Sequence, residues 1–506
     1  MKSRIRHTTV PLLLLLAIEA AAASGRRNLV FMISDGFGQT SEAMARAYVE
    51  QSGGGHEQWA SGLDELLVGS VRTRSADTLV TDSAAGATAY SCALKTYNGA
   101  IGVDREGRAC GTVLEAAKLH GYRTGLVTTA RITHATPAAF FAHSEDRDME
   151  NMIAQQILTL GAVNETQRRR PALVDLAFGG GLCHFVPQGS LTPVKSCRKD
   201  SLDLWRAAQA SGYTTVSDRR GFDALATTSD SALPVLALFA SSHMDYEIDR
   251  NKSDQPSLQE MTIRALDILH RSANTTGFFL MVEGARIDMA GHDNDPATHL
   301  HDILEYWRTV AAVRSFVDAH PDTLLVSTSD HETGGLALGI NSQYLWHPHL
   351  LTPVTRSAEA ICAYLATLSD EDSVEDYVTD IVFPKLLGIA NATDTEVARV
   401  VRVAGAKEKL CKRAVGGIVS ERAHIGWSTG GHTGADVALY SYGNGSNAFR
   451  GYMDNTQVGL ALAAYLGVDL SATTHAIQRS VNPLALSKRQ PGSGGSYVHK
   501  PFIDHD

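Results

Sequence analysis

The chain has 506 residues, 44% of them hydrophobic, and a formal net charge of −10 at pH 7. That length suits one large α/β enzyme with insertions, and the apolar fraction is that of an ordinary globular core. The acidic balance argues against nucleic acid or an anionic membrane as partner, because both are gripped by basic surfaces that release counterions.

Residues 1–24 read as an export signal. Lys2, Arg4 and Arg6 precede the apolar run Leu12–Ile18, and Ala20–Ser24 supplies the small residues that signal peptidase requires. Glu19 stops the run far short of the roughly 20 residues that span a bilayer, so cleavage is expected rather than a retained anchor. A secreted or extracytoplasmic protein follows, and the polar C-terminus carries no lipid-anchor signal. The body of the chain, 25–485, is expected to be one catalytic domain, and 486–506, with its Gly/Ser-rich stretch, a flexible tail.

Short apolar runs bounded by turn residues predict strands at Asn28–Ser34, Thr124–Thr129, Val174–Phe178, Val235–Phe239, Gly277–Val282 and Thr323–Ser327. Helical stripes alternate with them. Leu300, Ile303, Leu304, Trp307, Val310, Ala311 and Val317 recur every three or four residues and share one face. The alternation predicts an α/β fold, a largely parallel central sheet with helices on both faces. Between about 335 and 430 it breaks down, with Pro348, Pro353, an acidic stretch and a Gly416–Gly417 turn, as expected of a variable crown-like insertion over the site.

Six cysteines suit an exported protein with disulfides, although six allow about 15 pairings. Cys183 and Cys197 are the expected local pair; Cys92, in an apolar helical stretch, reads as a buried thiol. Sequons begin at Asn164, Asn251, Asn274, Asn391 and Asn444 and imply a glycoprotein if the host is a eukaryote.

The chemistry collects where strands end. Asp35 follows the first strand, Glu283 the run ending at Val282, and Asp330-His331 the run ending at Ser327. Carboxyl ends of parallel strands share one rim, so residues distant in sequence converge there. Asp288 and His292 are four apart, on one side of a helical turn. Such a pair alone is more often a solvated face. Joined by Asp330, His331 and His432 in glycine-rich settings, it becomes a carboxylate–imidazole set that suits Zn²⁺, and a zinc pair can grip both oxygens of a phosphoryl transfer. Ser83 sits among tiny side chains from Thr81 to Ala87 and reads as the N-cap of a helix over 84–94, where the dipole favours an anion. No Gly-x-Ser-x-Gly elbow surrounds it, so a metal is the expected activator. His143, His347 and His349 read as structural, and Gly179–Gly181 as a tight turn.

The chain resembles the alkaline phosphatase family. The resemblance is carried by Ile33–Gly38, Thr81–Tyr90, Thr133–Ala139, Ala142–Arg147, Val282–Asp288, Ser329–Gly335 and Gly431–Gly434, in the family's order, and covers nearly everything from 28 to 465. It implies that Asp288, His292 and His432 hold one zinc, and that Asp35, Asp330 and His331 hold a second in contact with the nucleophile Ser83. Asp35 would bridge to a magnesium also held by Thr136 and Glu283, an oxygen set suited to that ion. Arg147 would clamp phosphate in bidentate fashion. His134 stands where some members have aspartate and others histidine, and its softer nitrogen lets zinc compete for the magnesium position. Ala240 after Phe239 argues against the calcium site of animal members.

The implied function is that of a secreted phosphomonoesterase acting on small phosphate monoesters through a phosphoserine, most active at alkaline pH, with two zinc ions and one magnesium ion per chain, in the homodimer usual for the family. A sulfatase would place Pro and Arg where Ala85 and Ala87 stand. A diesterase would have no use for Arg147 or the magnesium set, and an inactive zinc or phosphate binder none for an intact Ser83.

Overall fold

The computed structural model describes residues 25–52, 63–158, 172–192, 194–225, 233–273, 275–368, 370–405 and 407–480. The expected export signal, the terminal tail and the sequons at Asn164 and Asn274 lie outside these residues.

In chain order the strands are β1 Arg27–Ser34, β2 Leu67–Arg72, β3 Arg123–Arg131, β4 Leu176–Gly180, β5 Thr214–Val216, β6 Val235–Leu238, β7 Gly277–Gly284, β8 Thr323–Thr328, β9 Glu332–Thr333, β10 Leu336–Leu338, β11 Ile425–Trp427, β12 His432–Thr433, β13 Val437–Gly443 and β14 Gly451–Asp454. Ten of them form one sheet in the order β14-β2-β13-β8-β1-β7-β3-β4-β6-β5. β13 pairs antiparallel with both β8 and β2, and the other pairings in the sheet are parallel. The largely parallel sheet expected from the sequence is present, and every predicted run overlaps a strand, with Val174 and Asp175 lying before β4 and Phe239 after β6.

Burial on both faces explains why these strands read as continuous apolar runs rather than alternating ones. Along β1, Val30 and Met32 enter one core and Leu29, Phe31 and Ile33 the other. Helices Gln39–Ser52, Leu258–Ser272 and Pro296–Ala319 cover the first face; Ser83–Cys92, Val113–Leu119 and Asn455–Leu466 cover the second. The segment between β10 and β11 adds helices such as Ala358–Leu365 and Glu408–Ala423, whose Ile361, Leu365, Val415 and Ile418 join the first core.

Three local expectations need correction. Gly416 and Gly417 lie inside helix Glu408–Ala423 rather than in a turn. A side chain at 416 would come within 2.8 Å of the Asn294 carbonyl, so the missing Cβ lets this helix press against the segment just beyond His292. Cys92 is no free thiol: it pairs with Cys110, beside the expected Cys183–Cys197 and a third bridge, Cys362–Cys411. Ser83 is the first residue of its helix, and Asp82 is the cap, accepting from the Ala85 amide.

Candidate metal centre and active site

Three strand ends build the pocket. Asp35 follows β1, Glu283 lies near the end of β7, and Asp330 and His331 follow β8, all on the rim where parallel strands finish. The chain turns after Asp35 through Gly36 at φ +74°, where a Cβ would lie 2.6 Å from the Asp288 Cα. Asp288 and His292 sit four apart on helix Arg286–His292. The β9–β12 ladder then brings His432 opposite Thr333.

Among the described residues, apart from His184 beside the disulfide-bonded Cys183 and Cys197, three groups of side chains each bring their ligand atoms within 4.8 Å of one another: Asp288/His292/His432, Asp35/Asp330/His331 and Asp35/His134/Glu283. In the first, the His292 Nε2 is 3.2 Å from Asp288 Oδ2 and 3.2 Å from the His432 Nε2. In the second, the His331 Nε2 is 3.1 Å from Asp330 Oδ2 and 3.6 Å from Asp35 Oδ1. Bonds of about 2.0–2.1 Å in a tetrahedron hold ligand atoms about 3.3 Å apart, so the spacing fits an ion of zinc's size. The imidazoles are turned for that purpose. His292 directs Nδ1 at the Gly430 carbonyl (3.0 Å) and His432 at the Thr81 carbonyl (2.8 Å), which leaves each Nε2 facing the pocket.

Buried polar atoms without partners make the same point energetically. Both oxygens of Asp35, Oε1 of Glu283, Oδ2 of Asp330, Oγ1 of Thr136 and Nδ1 of His134 are buried with no hydrogen-bond partner. Such groups cost about 1–3 kcal/mol each, and more when charged, unless something else satisfies them. Burial and the neighbouring Asp330, Asp288 and Glu283 raise the Asp35 carboxyl well above its usual range. Burial pushes Glu283 up to about 7 despite the Thr128 hydroxyl, which donates to its Oε2 at 2.5 Å. Burial also works against ionised Asp288, but the His292, His432 and His331 imidazoles outweigh it and hold that carboxyl well below its usual range. The donor set, oxygen-rich in the third group and mixed in the others, fits bound divalent cations.

Ser83 faces this arrangement. It is buried, its Oγ is 3.1 Å from the His331 Nε2, and it opens the helix whose cap, Asp82, also accepts from the Gly99 amide at 2.8 Å. Opposite lies Arg147, which donates through Nη1 to Asp82 (3.3 Å) and through Nη2 to the His134 Nε2 (3.0 Å). Burial and the Arg147 and Arg131 guanidiniums keep the His134 imidazole well below its ordinary pKa, so it is neutral.

The sequence of residues 26–468 matches the family model described as alkaline phosphatase. The chain belongs to the alkaline phosphatase family. It is 41% identical to an alkaline phosphatase of Schizosaccharomyces pombe, covering 89% of this chain and 83% of the relative. It is also 41% identical to the repressible alkaline phosphatase of Saccharomyces cerevisiae, over 90% of this chain and 84% of the other. The solved alkaline phosphatase of Thermus thermophilus superposes with a TM-score of 0.73 at 30% identity, covering 94% of this chain and all of that one (100%). The protein is thus an enzyme, a phosphoric monoester hydrolase of the alkaline phosphatase family, which is metal-dependent.

Every site residue expected from the sequence lies in or beside the pocket. His143 is structural: its Nδ1 meets the Gly102 carbonyl at 2.7 Å and its Nε2 the Glu115 carboxylate at 3.1 Å. Sequence reasoning missed the residues that hold the others: Asp82 on Arg147, Thr128 on Glu283, and Thr333, whose hydroxyl donates to Asp288 Oδ1. Asp82 and Thr333 lie inside motifs already noticed, next to Ser83 and two residues after His331, and those places were the available signals.

Proposed function

We propose that this enzyme hydrolyses small phosphate monoesters through a phosphoserine on Ser83, at a site holding two zinc ions and one magnesium ion, with highest activity at alkaline pH. The observation that carries the proposal is a buried hydroxyl set beside carboxylates that lack hydrogen-bond donors. Asp288, His292 and His432 would hold one zinc; Asp35, Asp330 and His331 the other; Asp35, Thr136, Glu283 and His134 the magnesium, with zinc competing through the His134 nitrogen. The bound cations would neutralise the carboxylates, favour the serine alkoxide and offset charge on the departing oxygen.

Arg147 would grip two phosphoryl oxygens through its parallel N–H groups, already aimed by Asp82 and His134. The helix beginning at Ser83 adds the positive end of its dipole. Ser83 Oγ attacks phosphorus in line, the alcohol oxygen departs, and water then displaces the serine to give inorganic phosphate. Two inversions leave net retention at phosphorus. Alkaline conditions favour the alkoxide and neutral imidazoles.

Export, glycosylation at Asn251, Asn391 and Asn444, and homodimerisation complete the proposal. The N-terminal pattern, the exposure of those asparagines and three disulfides, which persist in oxidising compartments, support the first two; family habit alone supports the third. The test is p-nitrophenyl phosphate turnover at alkaline pH, combined with mass spectrometry of acid-quenched enzyme. One phosphate on the Ser83 peptide, lost together with turnover in Ser83→Ala, is expected. Full turnover by Ser83→Ala would overturn the covalent route.

A further inference from the structure

We propose that Thr333 is a positioning residue that ties the two zinc-ligand sets to each other, so that neither is at full strength without the other. The inference rests on the ligand sets proposed above and extends them to a residue that contacts no cation.

Thr333 is fully buried on β9 and touches both sets by several routes. Its strand partner is His432 of the first set, and its amide donates to the Gly36 carbonyl at 3.2 Å, next to Asp35 of the second. The side chain joins them more directly. Its hydroxyl donates to Asp288 Oδ1 of the first set, and the same oxygen lies 3.3 Å from the His331 Nδ1 of the second.

The direction of these bonds follows from what each group can do. An ionised carboxylate only accepts, so the hydroxyl proton points at Asp288. The Thr333 oxygen then has lone pairs left for an N–H, and the His331 Nδ1–H is the donor in reach. With Nδ1 so occupied, the His331 Nε2 is the open nitrogen, and it is the one facing Ser83 and Asp330. His292 and His432 fix the same orientation through backbone carbonyls, Gly430 and Thr81. A carbonyl accepts only and ends the chain of bonds. The Thr333 hydroxyl both accepts and donates, and so passes the orientation of one set to the other.

The methyl group has a separate role. A Cβ at Gly291 would lie 3.1 Å from Thr333 Cγ2, so the methyl packs on the helix that carries Asp288 and His292. Thr333→Val keeps that packing and deletes the hydroxyl; Thr333→Ser does the reverse. The pair therefore separates hydrogen bonding from packing.

The experiment is titration of the zinc-loaded enzyme with a competing chelator, with zinc release followed spectroscopically for wild type, Thr333→Val, Thr333→Ser and Asp288→Asn, and a thermal melt of each metal-free protein as the control for folding. The wild type is expected to lose two zinc ions in one cooperative step. Thr333→Val is expected to bind both about 10–100-fold more weakly and release them in two separate steps, whereas Thr333→Ser stays within about threefold of wild type. Cooperative release by Thr333→Val at wild-type affinity overturns the proposal, as does a loss in Thr333→Ser equal to that in Thr333→Val, because packing would then be the cause. A wild-type zinc count that Asp288→Asn leaves unchanged overturns the ligand assignment itself and this inference with it, an outcome recognisable without either Thr333 variant.

Discussion

Around Ser83 five carboxylates, Asp35, Asp82, Glu283, Asp288 and Asp330, surround the guanidinium of Arg147, which donates to Asp82, and all the buried carboxylate oxygens lacking a donor among the described residues belong to Asp35, Glu283 and Asp330. In the segment between β10 and β11 three acids have arginine partners. Glu396 is paired with Arg422 at 2.7 Å, Glu421 with Arg399 at 2.7 Å, and Glu359 with Arg286 at 2.8 Å, while Cys362–Cys411 staples two helices whose apolar faces share the main core. One region is left electrostatically incomplete and waits for cations. In the other, no buried carboxylate oxygen among the described residues lacks a donor. Function and stability are thereby placed in different residues of one fold, and perturbations should separate them.

Removing divalent cations should give the largest separation. Chelation is expected to lower phosphomonoester turnover at least about a thousandfold, which corresponds to about 4 kcal/mol of transition-state stabilisation. Hydrogen exchange should rise around Asp35, Glu283, Asp330 and His432 and stay flat in helices Ala358–Leu365 and Glu408–Ala423. Equal loosening of both regions would break the comparison. The reverse experiment is Cys362→Ser with Cys411→Ser. The bridge spans 49 positions in sequence, so its loss should cost about 2–4 kcal/mol by chemical denaturation. Turnover of the folded enzyme should change less than about twofold, because the bridge touches no site residue.

A finer cut lies within the site. Arg147→Lys keeps the charge but loses the planar fork that Asp82 and His134 orient. The expected loss is about 10–100-fold in kcat/KM, with weaker inhibition by inorganic phosphate and unchanged zinc content. Loss of zinc from this variant would show that Arg147 supports the ligands rather than the substrate.

How far this division can be read from sequence differs between its halves. The strands of the parallel sheet were legible because burial on both faces leaves unbroken apolar runs, and Asp35, Glu283, Asp330 and His331 because each follows such a run. The short β2, β5 and β14 and the antiparallel β13 were not, since three to seven residues without a long apolar run resemble loop. Helix Glu408–Ala423 was hidden by Gly416 and Gly417, which suggest a turn locally, whereas Gly416 serves a close approach to Asn294, more than a hundred residues away. Asp82, Thr128 and Thr333 escaped for a related reason. A hydrogen bond from Thr128 to Glu283 spans 155 positions and has no local signature, whereas a ligand carries its chemistry in its own side chain.

The smallest effect has the sharpest sign. In the metal-free enzyme Glu283 is raised, chiefly by burial, from an ordinary 4.5 to about 7, so the folded state binds the proton more tightly than the unfolded one. Its contribution to stability is therefore present at low pH and falls as pH rises from about 4.5 to about 7. Glu396 is lowered, chiefly by its hydrogen bonds with Arg422, from 4.5 to about 2, so its contribution is present above pH 4.5 and falls as pH drops towards 2. Water screens this near-surface pair, and its contribution should stay below about 1 kcal/mol. Each component is isolated by subtracting the denaturation profile of a variant: Glu283→Gln should remove a slope between pH 4.5 and 7, and Glu396→Gln an opposite slope below pH 4.5. Zinc and magnesium should abolish the first difference, because a bound cation keeps the carboxylate ionised, and leave the second untouched. Slopes of the same sign, or a Glu396 component that responds to cations, would mean that the two regions are not electrostatically independent.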